Sequence, residues 1–242
     1  MLKVAMPLDV DELAGFERSI IVHQLGDGRA CAKLLAHDTH AAAMLLERLG
    51  PHLAELGYSI PSILEAVATT LQSFWRPAPD DDRLPTGADK AAWLAEYITS
   101  TWTELAKPCA RSVIDRAVTL CDERAGAYDA SDAVVVHGDA HGWNTLSTSG
   151  GRFKFVDPEG VRSERAHDLA VPMREYNGPL LAGDTARLVR ERAEYLAGAC
   201  GVDPEPVWQW GFIERVSTGL ANLRDFDDDS GQQFLEVADR CL

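Results

Sequence analysis

Two short apolar stretches, each running into a polar loop, constrain this chain of 242 residues more than any other feature. The first, Val134 to Leu146, reads VVVHGDAHGWNTL, and the second, Phe153 to Gly160, reads FKFVDPEG. A run of β-branched residues with a glycine just after it predicts a buried strand that ends in a loop. The polar turn with two glycines between the stretches predicts that the two strands pair as a hairpin. This pairing would bring Asp139, Asn144 and Asp157 near one end of one small sheet.

These three polar residues fit the chemistry of phosphoryl transfer. That reaction needs a carboxylate to orient and deprotonate the acceptor hydroxyl, and it needs oxygen ligands for Mg²⁺. An Asp, an Asn five residues later and an Asp after a second strand follow the order of the catalytic base and the two metal ligands of protein kinases. The order predicts Asp139 as the base, with Asn144 and Asp157 as ligands of Mg²⁺.

The loop HGDAHGWN, residues 137–144, resembles the HGDxHxxN loop of the aminoglycoside phosphotransferase superfamily. More narrowly, the chain resembles the aminoglycoside 6-phosphotransferase (streptomycin 6-kinase) and hydroxyurea phosphotransferase family, where the metal-binding Asp precedes Pro, as in Asp157-Pro158. The segment RAHDLAVPMR, residues 165–174, also matches that family. The resemblance implies a protein-kinase-like α+β fold with two lobes. It also implies ATP- and Mg²⁺-dependent transfer of phosphate to a hydroxyl of an aminoglycoside-type antibiotic or a hydroxyurea-like compound.

The same resemblance implies a nucleotide site near the N-terminus. Lys3 would contact the α- and β-phosphates, and Glu17 in the following helix would pair with Lys3, with Glu12 as the second choice. Backbone groups around Glu47 and Leu49 would bind the adenine edge.

Supporting roles follow for three residues around the predicted base. His137 would fix the catalytic loop by packing and hydrogen bonding, and His141 would face either the γ-phosphate or only the loop. Asp168 would accept backbone amide hydrogen bonds that hold the loop in shape. The alternative for Asp168 is a carboxylate at a helix N-terminus, stabilised by the helix dipole.

An acidic cluster near the C-terminus is a candidate for holding a cationic substrate. Its members are Asp225, Asp227 and Asp228, followed by Asp229. A solvated loop explains the same cluster, so both interpretations stay open.

Hydrophobic periodicity and turn residues predict the order of the elements. The predicted division is a partial N-lobe over 1–47 (strand, helix, two strands and hinge) and a helical C-lobe over 48–242 that contains the catalytic hairpin. The predicted strands cover 1–6, 29–36 and 41–46 in the N-lobe. The predicted helices cover 9–25, about 50–75, 90–105, 111–128, 184–199 and 203–226.

The sequence departs from the kinase pattern before Lys3. A kinase fold has two more strands and a Gly-rich phosphate loop there, so we expect a start assigned too late or a truncated protein with weakened ATP binding. An alternative function is therefore a catalytically impaired kinase fold that binds a ligand without turnover. A third is a metal-dependent hydrolase with His137, Asp139 and His141 as ligands, which explains neither Asn144 nor VDPEG.

The amino-acid composition limits the kinds of partner and the cellular location that we expect. A net charge of −15 argues against nucleic acid and is compatible with a cationic small-molecule substrate, or simply with an acidic, soluble surface. Without a long apolar run or a signal-peptide core, we expect no membrane span and a cytoplasmic protein. The five cysteines are scattered with no CxxC pair, so we expect reduced thiols and no zinc site. The oligomeric state is left open.

Overall fold

The structure, a computed structural model, describes residues 1–5, 10–226 and 229–242, with only the backbone described for 10–12 and 229. It is a mixed α and β fold, as predicted. In these ranges the strands are β1 (Leu2–Val4), β2 (Leu34–Asp38), β3 (Ala43–Leu46), β4 (Val134–Val136), β5 (Thr145–Ser147), β6 (Phe153–Phe155) and β7 (Val161–Ser163). The helices are α1 (Val10–Gly26), α2 (Ile60–Phe74), α3 (Gly87–Glu104), α4 (Arg111–Gly126), α5 (Arg165–Arg174), α6 (Asn177–Leu181), α7 (Thr185–Cys200), α8 (Pro204–Asp225) and α9 (Asp229–Asp239), with one 3₁₀ turn at Leu53–Glu55.

The chain forms two compact units. The first comprises Met1–Pro85 and Ala130–Arg162, and the second comprises Thr86–Asp129 and Ser163–Leu242. This division differs from the predicted boundary after residue 47, because β6 bonds to the segment that follows α1. The Phe155 N–H donates to the Ala30 carbonyl (2.9 Å), and the Ala32 N–H donates to the Phe155 carbonyl (2.8 Å). The division into catalytic lobes stays a prediction.

In the first unit an antiparallel sheet, in the order β1-β3-β2, packs against α1. The three strands were predicted from the sequence. β1 and β3 are shorter than predicted, whereas β2 begins later than the predicted strand 29–36 and extends past its end to Asp38. Lys3 in β1 lies opposite Met44 in β3. The apolar residues of this layer are buried together: Phe16, Ile20, Ala32, Ala42, Met44, Leu46, Leu146 and Val156. Because two of them, Leu146 and Val156, lie next to the predicted catalytic residues, the same core positions the site.

The predicted hairpin between residues 134–136 and 153–157 is wrong. β6 pairs instead with β5, with Thr145 opposite Phe155, whereas β4 pairs with β7. The reason is local, because residues 145–147 directly precede the turn, which closes when the Thr148 N–H donates to the Arg152 carbonyl (2.8 Å). A tight turn pairs the residues directly before it with the residues directly after it.

The second unit is helical and centres on α8. This helix packs against α5, α9, α4, α7 and α3. Most residues from Val207 to Leu220 are buried, so neighbouring helices cover much of its circumference. The helices predicted at 90–105, 111–128, 184–199 and 203–226 are confirmed within a few residues, and α6 and α9 were not predicted. In the described part of the chain, no helix combines the length and apolar character needed to cross a bilayer.

A buried ionic group joins α5 to α8. Glu214 accepts a hydrogen bond from Arg174 Nη1 (2.7 Å), and its other carboxylate oxygen lies 3.9 Å from His167 Nε2. The His167 ring stacks on Trp210 with the ring centroids 4.2 Å apart. Burial opposes the charged form, but His167 and Arg174 outweigh it and lower the pKa of Glu214 to about 2.

We predict that Glu214→Gln destabilises the protein in a pH-dependent way. Because the pKa of Glu214 is depressed in the folded state, its carboxylate stabilises the fold at neutral pH. This stabilisation is lost as the pH falls from about 5 towards 2. The free energy of unfolding at pH 7 should drop by on the order of 3 kcal/mol, with a smaller difference at pH 3. Urea unfolding at pH 7, 5 and 3 measures it.

The control is Glu236→Gln, which breaks an exposed pair with Arg240 one helical turn away. It should change stability by less than about 0.5 kcal/mol. An equal loss for Glu214→Gln at every pH would contradict the ionic account.

Candidate active site

The loop after β4 is fixed by His137, which is fully buried. Its Nδ1 accepts a hydrogen bond from the Asp139 N–H (3.1 Å), and its Nε2 donates to the Val156 carbonyl (2.9 Å). The ring also contacts Phe74 and Phe155, with centroid distances of 5.7 and 4.8 Å. Both ring nitrogens are therefore engaged by protein groups, which argues against the hydrolase reading in which His137 binds a metal.

Asp139 lies at the centre of a small hydrogen-bond network. The Asn144 side-chain amide donates to the Asp139 carbonyl (3.0 Å) and to its carboxylate Oδ2 (2.9 Å). His141 Nε2 lies 3.2 Å from the same Oδ2, and the Asp139 side chain is 32% exposed. The carboxylate is thus held in one orientation and still reachable from solvent.

Asp157 reaches this network through the backbone. The Val156 N–H donates to the Asn144 carbonyl (2.9 Å), which places the next residue beside the loop. Asp157 has a φ of 58°, a left-handed conformation that non-glycine residues rarely adopt. Asp139, Asn144 and Asp157 therefore lie together as predicted, although through a different strand pairing.

Lys3 pairs with Asp157 and not with Glu17. The Lys3 amine donates to Asp157 Oδ1, and both side chains are partly exposed, 34% and 44%. Glu17 is exposed on α1 and forms no ion pair with Lys3 in this structure. The predicted Lys3–Glu17 pair does not form because another carboxylate, that of Asp157, holds the amine. The side chain of Glu12 lies outside the described part of the chain.

Two glycines let the segments of the candidate site pass close to their neighbours. Gly138 has a φ of 85°, and a Cβ there would lie 2.9 Å from the Glu159 Cβ. Gly160 has a φ of 74°, and a Cβ there would lie 2.6 Å from Val22 Cγ2 in α1. Any side chain at these positions would push the loop or the helix away.

The segment after β3 has free hydrogen-bonding groups beside apolar side chains. The Glu47 carboxylate accepts from the Lys33 N–H (2.7 Å) and pairs with the Lys154 amine (2.5 Å). The Glu47 carbonyl and the Leu49 N–H make no hydrogen bond to the described residues. Leu49 packs against the buried cluster that contains Leu146 and Val156. An acceptor and a donor two residues apart, next to an apolar surface, suit the edge of a planar base.

Two predicted residues belong to the second unit, and their roles stay predictions. Asp168 is fully buried in the first turn of α5. Asp225, at the end of α8, is exposed and pairs with Arg224 (2.7 Å), whose hydrogen bond lowers the pKa of Asp225. Asp227 and Asp228 lie outside the described residues.

The sequence analysis missed Trp143, which is 57% exposed. The backbone N–H of Trp143 donates to His141 Nδ1 (3.2 Å), and its backbone carbonyl accepts from His52 Nδ1. The rings of His52 and Trp143 lie 5.8 Å apart and are tilted by 54°. The backbone is thus held on both sides while the indole faces solvent. One large aromatic residue directly before Asn144 was the signal available in the sequence.

The oxygen ligands present fit Mg²⁺. The Asn144 amide nitrogen is used by Asp139, which leaves its amide oxygen to serve as one ligand, and the Asp157 carboxylate is the other. Mg²⁺ is usually bound by one or two protein oxygens, with waters and phosphate oxygens completing its shell. Among the described residues, no three or more His, Cys, Asp or Glu side chains gather as a ready-made metal site.

The chain is similar in sequence to known kinases of small molecules. The sequence profile of the family described as aminoglycoside/hydroxyurea antibiotic resistance kinase matches residues 1–226. A streptomycin 6-kinase from Streptomyces glaucescens is 24% identical over 200 residues. That match covers 82% of this chain but 64% of the kinase, so the chain spans less than two thirds of this relative.

Solved structures show the same fold at low sequence identity. A choline kinase from Streptococcus pneumoniae superposes with a TM-score of 0.66 at 15% identity, covering 99% of this chain and 84% of that one. An aminoglycoside phosphotransferase from Streptomyces rimosus, solved with ADP and streptomycin, gives a TM-score of 0.61 at 15% identity, covering 89% and 86%. The kinase-like fold predicted from the sequence is confirmed.

We predict that Gly160→Ala destabilises the first unit. The new methyl group would meet Val22 Cγ2 at 2.6 Å in a left-handed backbone conformation. Strain and overpacking together should lower the free energy of unfolding by about 2–4 kcal/mol, as measured by urea unfolding.

Gly150→Ala is the matched control, because a Cβ at that turn position meets nothing within 4 Å. Its effect should stay below about 0.5 kcal/mol. Similar losses in the two variants would show that the close approach of α1 to Gly160 is unimportant.

Proposed function

Because the chain belongs to the aminoglycoside/hydroxyurea antibiotic resistance kinase family, we propose that it transfers the γ-phosphate of ATP to a hydroxyl group of a small molecule. The observation that carries the proposal is the Asp139 carboxylate, held by Asn144 and His141 and left accessible to solvent. We propose an aminoglycoside-type antibiotic or a hydroxyurea-like compound as the acceptor. The similarity to a streptomycin 6-kinase supports this choice.

Asp139 is the proposed base. Its carboxylate would accept a hydrogen bond from the acceptor hydroxyl, orient the oxygen towards the γ-phosphate, and take the proton as the new bond forms. The Asn144 amide and the His137 ring fix the position of Asp139 through hydrogen bonds to its side chain and its N–H. Such prior orientation lowers the entropic part of the barrier, because the base need not be ordered during the reaction.

Other residues would hold the nucleotide and Mg²⁺. Lys3 on β1 would bind phosphate oxygens, and the pair with Asp157 keeps its amine near the catalytic loop beforehand. Asn144 and Asp157 would hold Mg²⁺, which when bound neutralises charge on the phosphate oxygens. The adenine edge would meet the Glu47 carbonyl and the Leu49 N–H, with Leu146 and Val156 beside it.

A cationic acceptor fits the remaining features of the site. The chain carries a net charge of −15, which attracts cations towards it. The exposed Trp143 indole lies one residue before Asn144, and tryptophan is the best aromatic partner for a cation. We propose that Trp143 contacts the acceptor.

The test is a phosphoryl-transfer assay with ATP, Mg²⁺ and a panel that includes streptomycin and hydroxyurea. Asp139→Asn should lower kcat by about 100-fold or more, because general base catalysis contributes that much. Its ADP binding by calorimetry should change less than about twofold, since the base does not hold the nucleotide. Asp157→Asn should instead weaken Mg²⁺-dependent ADP binding by about tenfold or more.

Asp132→Asn, an exposed acid before β4, is the control and should change neither quantity. If Asp139→Asn keeps most of its activity, the base assignment is wrong. Nucleotide binding without transfer to any acceptor would support the alternative of a kinase-fold protein that binds ligands without turnover.

We also predict that Trp143→Ala impairs acceptor binding. Loss of a cation–π contact of about 1–2 kcal/mol should raise KM for a cationic acceptor about 5- to 30-fold and leave kcat within about threefold. Steady-state kinetics with streptomycin measure the effect.

The KM of Trp143→Phe should lie between those of the wild type and Trp143→Ala. Trp93→Ala, which removes an exposed indole on α3, should match the wild type. A tenfold loss of kcat with unchanged KM would show that Trp143 supports the loop and does not contact the acceptor.

A further inference from the structure

A short segment outside the predicted motifs runs beside the loop that carries Asn144. This segment, residues 50–55, lies antiparallel to residues 142–147, and we call it the brace. The backbone hydrogen bonds between the two stretches run from the Gly50 N–H to the Ser147 carbonyl (2.8 Å), from the Ser147 N–H to the Pro51 carbonyl (3.0 Å) and from the Ala54 N–H to the Gly142 carbonyl (3.2 Å). β5 is thus hydrogen-bonded both to β6 and to the brace.

Glycines allow the two backbones to approach each other closely. A Cβ at Gly50 would overlap the Ser147 Oγ and lie 3.1 Å from the Ser147 carbonyl oxygen. A Cβ at Gly142 would lie 3.4 Å from the Ala54 Cβ. The brace is therefore in direct contact with the loop on both sides of Asn144.

His52 adds a side-chain hydrogen bond at the centre of this contact. Its Nδ1 bonds to the Trp143 carbonyl, and because a carbonyl can only accept, Nδ1 carries the hydrogen and donates it. The same peptide group ends at the Asn144 nitrogen, whose N–H donates to the His141 carbonyl (3.0 Å). The peptide group between Trp143 and Asn144 is thus held at its carbonyl and at its N–H.

Holding this peptide group sets the direction in which the Asn144 side chain leaves the backbone. The Asn144 amide nitrogen reaches the Asp139 carbonyl (3.0 Å) and Oδ2 (2.9 Å), which leaves the amide oxygen for Mg²⁺. In the described part of the chain, His52 makes no hydrogen bond or ion pair with the side chains of Asp139, Asn144 or Asp157. His52 therefore contacts the site through the backbone of Trp143.

We propose that His52 is a positioning residue that orients the Asn144 amide oxygen by holding the peptide group before it, a role that depends on the proposed function, in which Asn144 binds Mg²⁺. Removal of a group that holds a metal ligand in place typically weakens metal binding by about 10-fold or more. Loss of the His52 hydrogen bond should therefore be felt in the Mg²⁺-dependent part of nucleotide binding.

The test is calorimetric titration with ADP, once in Mg²⁺ and once in EDTA. His52→Leu removes the donor and keeps an apolar side chain of moderate size. It should weaken ADP binding in Mg²⁺ by about 5- to 10-fold and change binding in EDTA by less than about twofold. His52→Asn should stay within about twofold of the wild type in both, because its side-chain amide nitrogen can donate in the place of Nδ1.

Two controls separate positioning from general effects on the fold. His40→Leu, which removes an exposed imidazole between β2 and β3, should match the wild type. Asn144→Ala should itself lose most of the Mg²⁺ effect, and adding His52→Leu to it should cause no further loss. Circular dichroism checks that each variant folds.

Amide hydrogen exchange gives a readout that needs neither nucleotide nor metal. In His52→Leu the Asn144 N–H should exchange at least about fivefold faster than in the wild type, because its peptide group is then held on one side only. The exchange of this N–H should not change in His52→Asn or His40→Leu.

Each outcome supports or overturns a separate claim. If the chain binds no ADP, or if Asn144→Ala keeps the full Mg²⁺ effect, the proposed metal site is wrong and the role of His52 fails with it. If Asn144→Ala loses the effect and His52→Leu keeps it, only the role of His52 is wrong. A loss in His52→Leu that is equal in EDTA, persists in the Asn144→Ala background or leaves the exchange unchanged would show a general structural role and overturn the proposal.

Discussion

The proposed active site depends on the two hydrogen bonds of the buried His137 ring. One nitrogen holds the N–H of Asp139 and the other holds the carbonyl of Val156, one residue before Asp157. A single side chain thus joins the loop that bears the proposed base to the strand end that bears the proposed metal ligand. Because the ring is packed between Phe74 and Phe155, neither segment moves without disturbing the core.

Charge is arranged differently in the second unit and at the proposed active site. In the second unit, Glu214 is buried and compensated by Arg174 and His167, so it serves stability. At the proposed active site, Lys3 and Asp157 are partly exposed, so their pair is weak enough to be replaced by phosphate and Mg²⁺.

Much of the proposed site was predictable because its residues are close in sequence. Asp139 and Asn144 sit on one short loop, and Asp157 ends the next hairpin, so few chain geometries could separate them. The strand pairing was not predictable in the same way. The three valines of β4 read as the partner of β6, but the neighbouring residues 145–147 took that place beside the turn, and β4 paired with β7. Local turn closure outweighed the stronger strand signal.

The sequence by itself predicted the kinase-like fold, which is confirmed, and it supplied the candidate site residues, because the loop HGDAHGWN and the segment VDPEG resemble the motifs of a known family and lie close together in the chain. Tertiary structure decided the contacts between distant segments. Lys3 pairs with Asp157 and not with Glu17, and the backbone carbonyl of Trp143 is bound by His52. These pairings follow from how α1, α2 and the sheet pack together, and a one-dimensional pattern does not record which side chains then lie within reach.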